Sequence, residues 1–244
     1  MLGLRAAVVV VGGLLASSPL AEAVVGALVV DLAVARAGVL WVTDGPSPRL
    51  LRRRVAGAVT LALAVTLGAA VIGRALGLAQ VRPGRLDLVF LLSLLGLAAT
   101  AIRDELLLRA LPFHFGRRAG LGRAPLYAFC GLASGATVFA DGTPEAIALA
   151  LGSGVLFSAI YDRLGGAWPA LAAHTAWSVA LGPLLRGGLI DYVPERGELS
   201  EAGTASGPIV PILTGLAVVA AFTLVPRLAV ALPSSPVPAP TGEE

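Results

Sequence analysis

Lysine is absent from this sequence of 244 residues, which also contains only one cysteine and two histidines. The single cysteine, Cys130, excludes an internal disulfide, and two histidines cannot by themselves complete a four-ligand metal site. The absence of lysine excludes a phosphate-binding P-loop, which requires that side chain. All 18 basic residues are arginines, and they form no basic stripe interleaved with aromatic residues, so a nucleic-acid partner is not expected.

Charged residues are also scarce: they make up 14% of the chain, whereas 57% of its residues are hydrophobic and the mean hydropathy is +0.86. Soluble globular domains average about 45–50% apolar and about 25% charged residues. This composition excludes a water-soluble fold. Because only helices and closed barrels satisfy the backbone inside a bilayer, the long apolar runs predict an all-α, polytopic transmembrane helical bundle.

Eight apolar runs predict about eight helices, which form a single transmembrane domain over residues 1–232. A Pro-rich tail over residues 233–244 is expected to be disordered. The runs are Ala6–Ser17, Leu20–Val42, Val55–Ile72, Leu86–Ile102, Ala124–Ala140, Ala146–Ile160, Ala167–Leu185 and Pro208–Leu232.

The arginines indicate the orientation of these spans, because cytoplasmic loops of membrane proteins are enriched in basic residues. With eight spans and both termini inside, twelve arginines fall on the cytoplasmic side and five on the other. The chain is therefore predicted to be a multi-pass protein of the plasma (inner) membrane. An alternative for the N-terminus is a cleaved secretory signal, in which Arg5, the run Ala6–Ala16 and the small residues around Glu22 would supply the three regions.

The first candidate for chemistry is a charged cluster of Asp104, Glu105 and Arg109, which continues the apolar run Leu86–Ile102 at its cytoplasmic end. Glu105 and Arg109 share a helix face and are predicted to form an i,i+4 ion pair. Asp104 then points elsewhere and is free to face a cavity and accept a proton from water. The simpler alternative is a juxtamembrane salt bridge with solvated flanks.

The second candidate combines His174 and Ser178 deep in the run Ala167–Leu185. Their i,i+4 spacing can present an imidazole and a hydroxyl to one substrate oxygen or metal ion. The alternative is a histidine that only makes a hydrogen bond between helices.

The two clusters together resemble the CAAX protease and bacteriocin-processing family of intramembrane endopeptidases, over a core of residues 86–185. The family pattern combines Glu-Glu-x-x-x-Arg, Phe-x-x-x-His and His-x-x-x-Asn/Asp on about eight helices. Asp104-Glu105-x-x-x-Arg109 resembles the first motif, and His174-Thr-Ala-Trp-Ser178 resembles the third.

The resemblance implies an endopeptidase that cleaves near the C-terminus of a membrane-anchored or hydrophobic peptide or protein in the lipid bilayer, as in CAAX processing, bacteriocin processing or protein sorting. Asp104 would be the general base, supported by Glu105 and Arg109, while His174 and Ser178 would polarise the scissile carbonyl. No organic cofactor is implied. The sequence does not decide between a metal-free mechanism, which we favour, and one with a divalent metal.

Three departures from the family pattern keep other functions open. Asp104 replaces the first glutamate, the second motif has no histidine, and Ser178 replaces Asn or Asp. A catalytically inactive relative, acting as a membrane binding, sorting or bacteriocin-immunity protein, is the main alternative. Cys130 lies where the missing histidine is expected and is a possible alternative nucleophile. Its simpler interpretation is a small buried hydrophobic residue. A solute transporter would need an inverted repeat, which is not evident.

Overall fold

The computed structural model of the chain describes residues 19–39, 47–77, 79–85, 88–139, 142–194 and 213–220. These residues form seven α-helices and one two-stranded ribbon, with further helical residues at 213–220. The helices are α1 Pro19–Arg36, α2 Pro48–Ala75, α3 Leu88–Glu105, α4 Leu111–Arg118, α5 Arg123–Ala136, α6 Pro144–Leu164 and α7 Ala167–Val179; the strands are β1 Ala79–Pro83 and β2 Ile190–Pro194.

The predicted all-α class is confirmed, and six of the eight predicted runs contain a described helix. The run Pro208–Leu232 overlaps the helical residues 213–220. The run Ala6–Ser17, the alternative signal segment and the tail at 233–244 lie outside the described residues. Within the described residues, the spans Pro48–Ala75 and Ala146–Leu164 are long and apolar enough to cross a membrane. The arrangement of eight spans and its orientation stay a prediction.

Two π-helical segments interrupt the helices, and each is associated with a proline. The segment Leu106–Ala110 joins α3 to α4, and Pro112 follows it in the first turn of α4. The segment Ala180–Leu184 extends α7 and contains Pro183. Proline has no N–H to donate to the preceding turn, so the helix must widen or bend there. The first segment carries Arg109 and begins directly after Glu105, two residues of the first candidate cluster.

Small residues bring α5 and α6 close together. A Cβ atom on Gly154 would lie 2.6 Å from Ser134 Oγ, and one on Gly131 would lie 2.7 Å from Val155 Cγ2. Glycine at these positions therefore permits an approach that any larger residue would prevent, as is common where membrane helices pack. This approach places Ser134 in the interior of the bundle.

The ribbon of β1 and β2 was not predicted. The strands pair antiparallel, with Arg82 opposite Asp191 and Val81 opposite Tyr192. Opposite charges and apolar residues that face each other across two strands favour such a ribbon. The paired residues are more than a hundred positions apart in the chain, so local sequence patterns do not predict the pairing. The ribbon connects the end of α2 to the segment after α7, and Tyr192 is buried against Ala70.

Candidate active site

A buried carboxylate, Glu105, forms the centre of the site. It is the last residue of α3, and its side chain is only 1% exposed. A buried ionised group must be paired and hydrogen-bonded to be stable. The structure supplies two partners for one of its oxygens, Oε1, one from the next turn of the same helix and one from α7.

Arg109 is the first partner. Its Nη1 lies 3.3 Å from Glu105 Oε1, which confirms the predicted i,i+4 ion pair. The arginine is itself 2% exposed, and its Nη2 donates a hydrogen bond of 2.9 Å to Ser134 Oγ on α5. Its Nη1 also donates to the backbone oxygen of Asp104 at 3.4 Å. Arg109 is therefore held from three directions and cannot easily leave the carboxylate.

His174 on α7 is the second partner. Its Nδ1 lies 2.9 Å from Glu105 Oε1. An ionised carboxylate only accepts hydrogen bonds, so Nδ1 donates the proton here. The imidazole stacks on the Phe157 ring of α6, with 4.7 Å between ring centroids and 19° between planes. The Arg109 guanidinium carbon lies 5.6 Å from the same ring centroid. Phe157 thus fixes both partners of Glu105.

These contacts leave one atom of each partner without a hydrogen bond, Nε2 of His174 and Oε2 of Glu105, among the described residues. With Nδ1 donating to Glu105, the other imidazole nitrogen, Nε2, is the proton acceptor. Among the described residues, Glu105 Oε2 has no hydrogen-bond partner. The side chain of His174 is 15% exposed, so the imidazole is the part of the pair that a substrate can reach.

Asp104 lies in a different environment from its neighbour. Its Oδ1 accepts a hydrogen bond of 2.9 Å from Arg103 Nε, and its side chain is 20% exposed. The side chain of Asp104 thus pairs with the adjacent arginine and not with Arg109. Whether Asp104 takes part in catalysis stays a prediction.

Comparison with known families adds independent information to this geometry. Residues 85–180 match the Rce1-like family of type II CAAX prenyl endopeptidases. The family resemblance stated from the two motifs is thereby supported, and it suggests a membrane protease of the CAAX type. Comparison with curated proteins and with solved structures found no match.

The Rce1-like segment contains every residue of the buried cluster. It also contains Ser134, which sequence analysis did not single out. Small residues surround this serine in the sequence, so it resembles an ordinary packing residue. Ser134 lies four residues after Cys130, a position in α5 that the structure turns toward Arg109. The second motif thus lacks its histidine, but the same helix supplies Ser134, whose hydroxyl accepts a hydrogen bond from Arg109 of the first motif.

Two further predicted site residues lie in the Rce1-like segment without joining the network of hydrogen bonds. Ser178 is one helical turn from His174 on α7 and forms no side-chain hydrogen bond within the part of the chain that is described. Cys130 is fully buried in a cluster with Phe113 and Tyr127. Within the described residues, the hydrogen-bond partner of His174 is Glu105, and its ring stacks on Phe157.

No group of three or more His, Cys, Asp or Glu side chains that could hold a metal ion occurs within the described residues. The buried cluster contributes only Glu105 and His174 of these types.

Proposed function

We propose that this protein is an intramembrane endopeptidase of the CAAX type, in which Glu105 and His174 form the catalytic pair. The observation that carries the proposal is the 2.9 Å contact between Glu105 Oε1 and His174 Nδ1 in a buried position. A carboxylate that fixes the tautomer of a histidine is the arrangement that makes the other ring nitrogen a general base.

The proposed reaction is hydrolysis of a peptide bond near the C-terminus of a membrane-anchored or hydrophobic chain. His174 Nε2 removes a proton from a water molecule, whose oxygen attacks the scissile carbonyl carbon. The same nitrogen then returns the proton to the leaving amine as the C–N bond breaks. Glu105 stabilises the imidazolium that forms in between, as an acidic residue does in a catalytic triad.

The remaining residues position the pair or stabilise charge. Arg109, 3.3 Å from the carboxylate, compensates the charge of Glu105, and Ser134 accepts a hydrogen bond that keeps the arginine in place. Ser178, one turn after His174, is available to donate a hydrogen bond to the developing oxyanion, a contribution that typically changes rates by about 10²–10³-fold. In this proposal Asp104 is not the base, because it is paired with Arg103.

The test uses the purified full chain in lipid nanodiscs and a panel of membrane-anchored C-terminal peptides, with products identified by mass spectrometry. We expect cleavage by the wild-type protein and none by His174→Gln. The assay is run with and without a chelator, and loss of activity with the chelator would assign a metal to the reaction. Binding of a peptide without cleavage would refute the proposed peptidase activity and favour the alternative, a catalytically inactive relative that binds its partner in the membrane.

A further inference from the structure

A second polar site lies away from the catalytic pair, where α4, the end of α6 and the start of α7 meet. It is a cavity of about 430 Å³ whose lining includes His114, Arg117, Arg118, Gly165 and Gly166. The proposed peptide hydrolysis uses none of these residues. The composition of the lining indicates the kind of ligand that fits.

The cavity is strongly positive. The one acidic residue in its lining, Asp162, has a fully buried side chain that is compensated by arginines. Its Oδ2 lies 2.9 Å from Arg123 Nε and accepts a hydrogen bond of 2.7 Å from the Tyr127 hydroxyl, and its Oδ1 pairs with Arg117. Asp162 is thus a buried anchor that organises arginines around the cavity.

Two further arginines near the cavity have no acidic partner. Within the described residues, Arg118 lines the cavity without an ion pair. The guanidinium of Arg54 lies so close to Gly165 that a Cβ atom there would collide with it, and its buried Nε has no hydrogen-bond partner in the described parts of the chain. The site therefore has an excess of positive charge that an anion would neutralise.

The helix start and an imidazole favour the same ligand. The N–H of Gly166 donates to the Tyr161 carbonyl and Pro169 has no N–H, but no side chain caps α7 and no acidic residue follows in its first turn, so the positive end of the helix dipole is not neutralised there. Helix starts of this kind bind phosphate and other anions. His114 Nε2 is also buried at the cavity without a partner among the described residues. Arginines, the positive end of a helix dipole and an imidazole together favour a phosphate group.

The surroundings distinguish a lipid phosphate from a free one. A second cavity, of about 600 Å³ and lined almost wholly by apolar side chains, runs between α2 and α7. It begins at Val55, one residue after Arg54, and at Trp168, two residues after Gly166, and continues along α7 to Val179. This end of the groove lies within two residues along the chain of Arg54 and Gly166, and its apolar lining suits an acyl chain.

Exposed aromatic residues place this end of the molecule at a membrane surface. Phe115, beside His114, is 50% exposed, and Trp168, at the start of α7, is 45% exposed. Aromatic side chains are enriched at the level of lipid headgroups, and basic pockets between helices at that level bind anionic lipids. We propose that the cavity at the start of α7 binds the phosphate of an anionic phospholipid, one acyl chain of which lies in the apolar groove along α7.

The experiment counts lipids that remain bound to the purified full chain, using native mass spectrometry with phosphatidylglycerol and phosphatidylcholine as probes. We expect the wild-type protein to retain phosphatidylglycerol in preference to phosphatidylcholine. Arg118→Gln and Arg54→Gln should each weaken retention about fivefold, because one basic residue at an anionic lipid contributes that much. Arg53→Gln is the matched control, since Arg53 is exposed and lies on the same helix end.

Two further arms test the lipid assignment. Ala172→Phe fills the apolar groove, and we expect it to weaken retention of phosphatidylglycerol. Inorganic phosphate at millimolar concentration should not displace the lipid. Equal losses in Arg53→Gln and Arg118→Gln would show a general surface-charge effect and overturn the proposal. Displacement by inorganic phosphate, or unchanged retention in Ala172→Phe, would overturn the assignment to a lipid.

Discussion

Glu105→Gln should destabilise the protein strongly, because it removes the negative charge from a buried cluster that contains an arginine. Arg109 is 2% exposed and has Glu105 as its only acidic partner among the described residues. Removing one member of a buried ion pair typically costs about 3–5 kcal/mol, since the other charge stays buried without compensation. The glutamine can still accept a hydrogen bond from His174, so we expect a loss of about 3 kcal/mol.

The neighbouring carboxylate provides the matched control. Asp104 and Arg103 have side chains that are 20% and 35% exposed, and an ion pair of this kind contributes at most about 1 kcal/mol. Unfolding of Glu105→Gln, Asp104→Asn and wild type by denaturant in mixed micelles measures both effects. The double variant Glu105→Leu with Arg109→Met should recover most of the loss, because it removes both buried charges.

Two outcomes would refute this reasoning. The first is a loss below about 1 kcal/mol for Glu105→Gln, which would mean that the carboxylate is not a buried charge. The second is an Asp104→Asn variant that loses as much stability as Glu105→Gln. That result would mean that the two carboxylates do not differ in burial as the structure shows.

The remaining predictions concern packing and the other predicted site residues. Gly154→Ala should cost about 1–3 kcal/mol in the same unfolding assay, because its Cβ would lie 2.6 Å from Ser134 Oγ; Gly57→Ala, with open space around it, should cost nothing. Cys130→Ala should cleave peptides at the wild-type rate, and the Cys130 thiol of the wild-type protein should resist maleimide until denaturant is added; loss of cleavage in the variant would instead support a cysteine nucleophile. Ser178→Ala should lower kcat about 10²-fold and Ser178→Asn should restore it, whereas equal rates for all three would exclude an oxyanion role.

Sequence patterns predicted the local part of the site. The pairing of Glu105 with Arg109 follows from their i,i+4 spacing on one helix, and no knowledge of the fold is needed. The contact of Asp104 with Arg103 does not follow from that spacing, because adjacent residues on a helix do not face each other in an ideal geometry. Long flexible arginine side chains can nonetheless reach a neighbour.

The tertiary part of the site could not be predicted in this way. Whether His174 meets Asp104 or Glu105 depends on how α7 is rotated against α3, and the sequence contains no signal for that rotation. Ser134 and Phe157 complete the cluster from two further helices, yet each has an ordinary alternative as a small or apolar packing residue.

The most direct test of the proposed catalytic pair is the rate of cleavage of one membrane-anchored C-terminal peptide by three variants in nanodiscs. His174→Gln and Glu105→Gln should each lower kcat/KM by at least about 10²-fold, while Asp104→Asn should retain the wild-type value. Folding of each variant is checked by its circular dichroism spectrum. Inactivation by Asp104→Asn together with activity in a folded Glu105→Gln would contradict the account and make Asp104 the base.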